Sequence, residues 1–226
     1  MGEPRDLLAV LQHGDSFFPS GAVSFSWGLE TLRNEGAVAT EADVHAFVAG
    51  QLHHRWATAD RPALVAAHQA GADLDAVAAV DAQLEALGLP QPMREGSRRA
   101  GAALLQVHAA LGTPRAADDR DRIGAGRAFA HLPVVQGLVW RGIGLEADAA
   151  AAVAAHGMSV ALLGAALRMG LVGHVACQRI LARLREDIAV LLAEPAPPMR
   201  CCAAYTPAAD IAMMRHETAD ARLFAN

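Results

Sequence analysis

The chain has 226 residues, of which 53% are apolar and 19% charged, so it can bury a substantial core and is not disordered throughout. Its formal net charge of −5 argues against a nucleic-acid partner. All nineteen basic residues are arginine, which excludes a P-loop lysine and a lysine nucleophile from this sequence. Three cysteines without a disulfide framework, and an opening that does not resemble an export signal, predict a cytoplasmic protein.

Four apolar stripes at helical spacing predict four amphipathic helices in chain order. The first stripe follows Thr40 and Asp43, which have the spacing of a capping box with Asp in place of Glu. The apolar residues of the four stripes are Val44, Phe47, Val48, Leu52 and Trp56; Val77, Val80, Leu84 and Leu87; Ala100, Leu104, Val107 and Leu111; and Cys177, Leu181, Leu184, Ile188 and Leu191. No useful strand alternation occurs. The pattern predicts an all-α protein with a single helical-bundle domain of about eight to ten helices.

A different kind of helix is predicted over residues 159–172, because this stretch is apolar on every side except at Arg168. We expect it in the middle of the bundle or at a subunit contact, where a buried arginine needs a carboxylate or carbonyl partner. The charge-free run 149–167 approaches the length of a membrane span. Its weak hydrophobicity favours a buried helix instead, and no membrane partner is expected. The charge-rich segment 115–127 is predicted to contain a loop.

A change in composition near residue 194 divides the chain. Residues 1–194 are predicted to form the all-helical domain, and residues 195–226 a proline-rich linker and a C-terminal tail. Thr206 is a candidate helix cap, and Pro207 suits a first helical position. The apolar residues of the tail are Ile211, Met214, Leu223 and Phe224. A tethered segment of this kind is expected to become ordered on a partner protein.

One block of sequence suggests an enzyme. The Gly-Asp-Ser that ends at Ser16 is similar to the nucleophile block of GDS-type serine esterases, whose serine is activated by a late Asp-x-x-His. Here Asp210 and His216 lie six residues apart, which is the wrong spacing. The block also follows a helix-like stretch at residues 7–11, where an esterase of that type has a strand.

The competing interpretation of the same block is structural. Asp15 and Ser16 can hydrogen-bond the turn that leads to Pro19 and Gly21. We favour this interpretation, and a serine esterase built around Ser16 is the alternative function.

The ten histidines form no recognisable metal motif, because no pair has i,i+4 spacing and no His-Glu-x-x-His occurs. His174 and Cys177 are three residues apart, but Cys177 belongs to an apolar stripe, where a cysteine usually acts as a small hydrophobe. The glycine pairs of the chain lack the third glycine of a dinucleotide-binding loop. The residues alone therefore predict no catalytic group, no metal ligands and no stably bound cofactor.

Four motifs spread over most of the chain share one resemblance. They are LQHGDSFFPSGAVSFSWGLE over residues 11–30, RE-x-S…G-x-x-LL over 94–105, R…G…QR-x-L over 168–181, and P…DI-x-x-MRHE…RLF over 207–224. Together they resemble the UreF family of urease accessory proteins. The last motif is the most specific of the four.

The resemblance implies an all-α homodimer that is not itself an enzyme. Members of this family join a UreD-like accessory protein, also called UreH, and the GTPase UreG on apo-urease. That assembly inserts nickel, and the UreF-like subunit is thought to couple GTP hydrolysis to nickel delivery. Nickel is accordingly expected to be handled transiently by the complex and not bound stably by this chain.

The resemblance also assigns two sets of site residues. The set expected to bind the UreD-like protein is Asp15, Ser16, Pro19, Gly21, Pro207, Asp210, Ile211, Met214, His216, Glu217, Arg222, Leu223 and Phe224. The set expected at the dimer or GTPase interface is Arg168, Gln178 and Arg179. Within the tail, the apolar residues are expected to anchor the partner and the polar residues to fix its register.

Overall fold

The computed structural model describes residues 4–15, 17–19, 25–87, 90–216 and 223–224. These residues contain α-helices, one π-helical segment and one short 3-10 turn, but no strand. The α-helices are α1 (Pro4–Gly14), α2 (Leu29–Asn34), α3 (Glu41–Gln51), α4 (Arg61–Ala70), α5 (Leu74–Glu85), α6 (Gln91–Ala110), α7 (Ala116–Gly124), α8 (Leu132–Gly142), α9 (Ala147–Arg168), α10 (His174–Ala193) and α11 (Pro207–His216). The π-helical segment is Leu52–Asp60 and the 3-10 turn is Met199–Cys201. The prediction of an all-α fold is confirmed.

One uninterrupted rod replaces the first predicted helix. It begins at Thr40, whose hydroxyl accepts from the Asp43 amide at 3.2 Å while the Asp43 carboxylate accepts from the Thr40 amide at 2.8 Å. The predicted capping box is therefore present. The rod runs through α3, the π segment and α4, so the eleven α-helical segments of the described residues form ten rods, within the predicted range. The apolar stripe indicated neither the continuation to Ala70 nor the π geometry.

The other three predicted stripes correspond to α5, α6 and α10. Leu84, Leu104 and Leu184 are each at most 1% exposed, which confirms that these stripes face the core. Leu111 is an exception. It lies just beyond the last turn of α6 and is 62% exposed, because the stripe continues one residue further than the helix.

Helix α9 is the centre of the bundle. It packs against α1, α3, α4, α8, α10 and the π segment, and eleven of its 22 residues are buried. By length and composition it could cross a membrane, but 61% of its most apolar window is covered by the rest of the chain, as in a core helix. The predicted central position is confirmed, but the bounds predicted for the helix, 159–172, were wrong, since it spans Ala147–Arg168. Arg168 was expected inside the bundle and instead lies exposed at the end of the helix.

A carboxylate from α5 organises the turn before α8. This turn is what remains of the loop predicted within residues 115–127. Most of that segment forms α7, and the chain turns only after Gly124. Asp81 then accepts hydrogen bonds from the backbone N–H groups of Phe129, Ala130 and His131 at 2.6, 2.9 and 3.0 Å. These donors precede α8, so Asp81 satisfies backbone groups that the helix start cannot.

Candidate functional site

The C-terminal segment, defined as residues 195–216 and 223–224, lies against the helical domain. A buried arginine of α4 holds the residues just before this segment. Arg61 donates to the carbonyls of Leu191 and Glu194 at 2.7 and 2.6 Å. A guanidinium at the last carbonyls of a helix satisfies orphan acceptors and complements the helix dipole. Arg61 therefore fixes both the end of α10 and the direction in which the linker leaves it.

Residues 199–205 form a strap along the π segment. The amides of Ala203 and Tyr205 donate to the carbonyls of Thr58 and His54 at 3.1 and 2.9 Å. The Cys202 thiol donates to the Ala59 carbonyl at 3.4 Å. The strap thus pairs with backbone groups of the wide π turn, and the two irregular parts of the chain stabilise one another.

Cys202 is not a reactive thiol in this setting. Burial raises its pKa to about 11, and the neighbouring charge of Asp60 and the Cys201 thiol act in the same direction. Since the thiolate is the nucleophilic form, a thiol with such a pKa is inert near neutral pH. The role of Cys202 is to hold the strap.

Helix α11 follows the strap and has two different faces. Ala209, Ala212 and Met213 are at most 4% exposed and pack on the domain. Ile211 and Met214 lie on the other face and are 48% and 50% exposed. The predicted pairing of Ile211 with Met214 on one face is present, and this face has no cover from the described part of the chain.

The contact between α11 and α2 requires a glycine. Gly28 has φ +85°, and a Cβ added there would lie 2.6 Å from the carbonyl oxygen of Ala209. Any other residue would therefore push α11 away from its seat.

The beginning of α11 is organised by Thr206 and Asp210. Pro207 occupies the first helical position, as predicted, and its side chain is exposed. The Thr206 hydroxyl donates to the Asp210 carboxylate at 3.0 Å, and the Thr206 carbonyl accepts from the Asp210 amide at 2.9 Å. Burial raises the pKa of Asp210, while the Thr206 hydrogen bond and the nearby Arg55 guanidinium lower it. Asp210 therefore stabilises the start of α11 within this chain, and it is also one of the residues predicted to contact the partner protein.

The end of the chain returns to the domain at Glu30. Its carboxylate accepts from the amides of Leu223 and Phe224 at 2.8 and 3.3 Å. The Phe224 ring is buried, and the Arg168 guanidinium lies 4.9 Å from its centroid, within the range of a cation–π contact. Leu223 is 62% exposed. The structure thus brings together Arg168 and Phe224, which the sequence assigned to different interfaces.

The predicted N-terminal residues form a turn after α1. The Asp15 carboxylate accepts from the Phe17 amide at 2.9 Å, and the Asp15 carbonyl accepts from the Phe18 amide at 3.0 Å. This pattern is the hydrogen-bonded turn that we favoured over a nucleophile block. Pro19 is exposed immediately after it.

Several predicted residues lie outside the described part of the chain. They are Ser16, Gly21, Glu217 and Arg222, together with the side chain of His216. Their assignments stay predictions.

Gln178 and Arg179 are exposed on α10. Arg179 bonds the Glu41 carboxylate through two nitrogens, at 2.6 and 3.1 Å, and so links α10 to α3. Gln178 lines a groove of about 340 Å³ between α9 and α10, together with His156 and Arg185. The two residues therefore lie on an outward face, although Arg179 is engaged within its own chain.

Sequence reasoning missed an apolar surface on α1. Leu7, Leu8 and Leu11 are 57%, 66% and 59% exposed, and Phe17 in the following turn is 93% exposed. The i, i+1, i+4 spacing of the three leucines was the available signal, since it places them on one helix face.

Comparison with known proteins identifies the family. A family model described as UreF matches residues 38–185. The urease accessory protein UreF of Trichodesmium erythraeum is 33% identical over 97% of this chain and 96% of its own length. The proteins of the same name from an Arthrobacter species and from Yersinia pseudotuberculosis are 33% and 30% identical over at least 96% of both chains. The chain belongs to the UreF family of urease accessory proteins.

Proposed function

We propose that this protein is a non-enzymatic subunit of a cytoplasmic complex that delivers nickel to apo-urease. It joins a UreD-like protein to a UreG-like GTPase and couples GTP hydrolysis to delivery of the ion. The observation that carries the proposal is the likeness to urease accessory proteins over at least 96% of the chain. The same likeness favours this role over a serine esterase built around Ser16.

The C-terminal segment is the proposed site for the UreD-like protein. Ile211, Met214 and Leu223 are each between 48% and 62% exposed. Exposed aliphatic side chains on an ordered helix and at a chain end are typical anchors for a partner groove. Asp15, Asp210 and the exposed Pro207 belong to the same proposed surface, together with His216, Glu217 and Arg222.

The face of α10 is the proposed contact with a second copy or with the GTPase. Because α9 is mostly covered by its own chain, the outward-facing α10 is the better surface. Val175 and Val190 are 69% and 67% exposed on this helix, beside Gln178 and Arg179. Arg168 lies at the edge of this region, and its contact with Phe224 links the two proposed interfaces. The ion itself is passed on by the assembled complex, so no resident metal is assigned to this chain.

The experiment that tests the first interface leaves the fold intact. The double variant Ile211→Asp/Met214→Asp changes only exposed side chains of α11. We expect it to lose capture of the cognate UreD-like protein by at least tenfold in a co-purification assay, because two charges replace apolar anchors. The control is Leu111→Asp, which places a charge at a more exposed leucine just beyond α6 and should keep full capture. Equal capture by the double variant and the wild type would refute the assignment.

A second experiment tests the complete function. Each variant is co-expressed with the UreD-like protein, the UreG-like GTPase and apo-urease, and the nickel content and urease activity are measured. The proposal predicts that loss of capture and loss of nickel loading occur together. Nickel loading that persists without this protein would overturn the functional assignment while leaving the family membership untouched.

A further inference from the structure

A cavity of about 100 Å³ lies inside the bundle between α6, α8, α9 and the π segment. All three tryptophans of the chain, Trp27, Trp56 and Trp140, line it, and most other lining residues are apolar. On the same measure a single water molecule needs about 10–15 Å³. The cavity therefore has room for a small organic molecule.

Arg55 is the unusual member of this lining. It is only 3% exposed, and within the described residues its Nε and Nη1 atoms have no hydrogen-bond partner. The Trp27 ring lies 4.0 Å from its guanidinium carbon, and the nearest acidic group is the Asp60 carboxylate, whose Oδ2 is 3.6 Å from Nε. That separation gives charge attraction but no hydrogen bond. A buried charged donor left in this state is costly, so a ligand that accepts from it is strongly favoured.

Other polar groups of the lining add to the excess of donors. The indole N–H groups of Trp56 and Trp140 are buried and have no acceptor among the described residues. Ser97 and Gln136 also line the cavity and provide neutral polar groups. The lining therefore combines N–H donors with the His13 imidazole and the Asp60 carboxylate in a shell that is otherwise apolar, which suits a ligand with acceptor oxygens and an apolar body.

We propose that this cavity binds a small monocarboxylate with an apolar body, and that the carboxylate pairs with the Arg55 guanidinium. A guanidinium and a carboxylate form parallel charge-assisted hydrogen bonds, which none of the other lining groups can provide. The aromatic residues enclose the apolar part of the ligand. This inference is independent of the proposed role in urease maturation.

Asp60 competes with the ligand for Arg55. Burial raises the pKa of the Asp60 carboxyl, and Arg55 and His131 lower it. Asp210 of α11 and Cys202 of the strap also lie near the pair, and the His13 imidazole lines the same cavity. When Asp60 carries a proton, Arg55 is left with its full charge for the ligand, so the carboxylate binds more tightly at lower pH.

Intrinsic fluorescence tests the proposal directly, because every tryptophan lines the cavity. The full-length protein is titrated at constant ionic strength with sodium butyrate, sodium hexanoate and the neutral analogue butyramide. We expect a saturable change with the carboxylates and at least tenfold weaker binding of butyramide. Equal affinity for butyrate and butyramide would mean simple filling of an apolar space and would overturn the proposal. No response to any of the three would mean that water alone fills the cavity, with the same consequence.

Two variants separate the charge from the fold. Arg55→Gln should abolish carboxylate selectivity, and its folding is checked by circular dichroism. If that variant does not fold, Asp60→Asn still decides the matter, since it removes the competing charge with little change in shape. Asp60→Asn should bind butyrate at least as tightly as the wild type and lose the part of the pH dependence that Asp60 contributes. Weaker binding of butyrate by a folded Asp60→Asn variant would overturn the proposal, because removal of a competing anion cannot weaken the binding of a carboxylate that pairs with Arg55.

Discussion

Helix α9 and the C-terminal segment are both rich in alanine and other apolar residues, yet they are held in different ways. Helix α9 contacts several helices at once and buries eleven of its 22 residues. The C-terminal segment buries one face of α11 and the Phe224 ring, and it is otherwise held by hydrogen bonds to the π segment and to Glu30. Helix α9 can therefore leave its site only when the core unfolds, whereas the C-terminal segment can separate from a folded domain.

The largest effect should come from α9 itself. Leu162 is 1% exposed, and Leu162→Ala is expected to lower the free energy of unfolding by about 3 kcal/mol through lost burial and the cavity left behind. The comparison variant is Met213→Ala in α11, which is also fully buried. Met213→Ala should lower the free energy of global unfolding clearly less than Leu162→Ala does, because α11 can detach before the core opens. Urea denaturation measures both values, and equal losses would show that the segment and the core unfold as one unit.

A pH-dependent loss of stability should follow from His108, which is buried on the core side of α6. Burial lowers the pKa of His108 to about 4, and the stacked His13 ring, 5.2 Å away, acts in the same direction. The unfolded chain takes up this proton below pH 6.5, so the stabilisation is complete above pH 6.5 and is lost as the pH falls towards 4. We expect the native state to lose about 2 kcal/mol over this range.

The measurement is the free energy of unfolding at several pH values between 7.5 and 4. His108→Gln should flatten this curve, since glutamine has no proton to gain. His174→Gln, at an exposed position, controls for the loss of an imidazole elsewhere. An unchanged slope in His108→Gln would exclude His108 as the source.

A local effect is expected at Glu30. Glu30→Gln replaces one acceptor oxygen by an N–H₂ group, so the amides of Leu223 and Phe224 cannot both keep their hydrogen bonds. Exchange of these two amides with deuterium should accelerate at least tenfold while the midpoint of global unfolding changes little. Glu35→Gln is the matched control, because the Glu35 carboxylate forms an exposed ion pair with Arg215. Unchanged exchange at Phe224 would contradict the role of Glu30.

The same contrast explains what could be predicted from the sequence. The capping box at Thr40 and the stripes of α5, α6 and α10 are local patterns, and the structure confirms them. The four motifs likewise predicted the family, which the comparisons confirm. Features that depend only on neighbouring residues could therefore be predicted from the sequence.

The leucine face of α1 was a local pattern that was overlooked, whereas the other features that were missed depend on distant parts of the chain. The π segment is stabilised by a strap about 150 residues away, as in the bond from Tyr205 to His54. The buried seat of Phe224 likewise needs Glu30, and the turn before α8 needs Asp81 from α5. No local pattern records such partners, and for the same reason the sequence treated Arg168 and Phe224 as unrelated.

The smallest structural effect is expected at Arg179, and it sharpens the question of the second interface. Arg179→Ala removes an exposed pair with Glu41, so the thermal midpoint should not change measurably. If α10 forms the dimer or GTPase contact, the same variant should raise the monomer fraction in sedimentation or lower GTP hydrolysis by the UreG-like protein. Arg120→Ala, which removes an equally exposed pair with Asp121 on α7, should do neither. Because Arg179 contributes no measurable stability to the free chain, any effect of Arg179→Ala on assembly would come from a lost contact with the partner. Identical behaviour of the two variants would therefore show that Arg179 is not part of that contact.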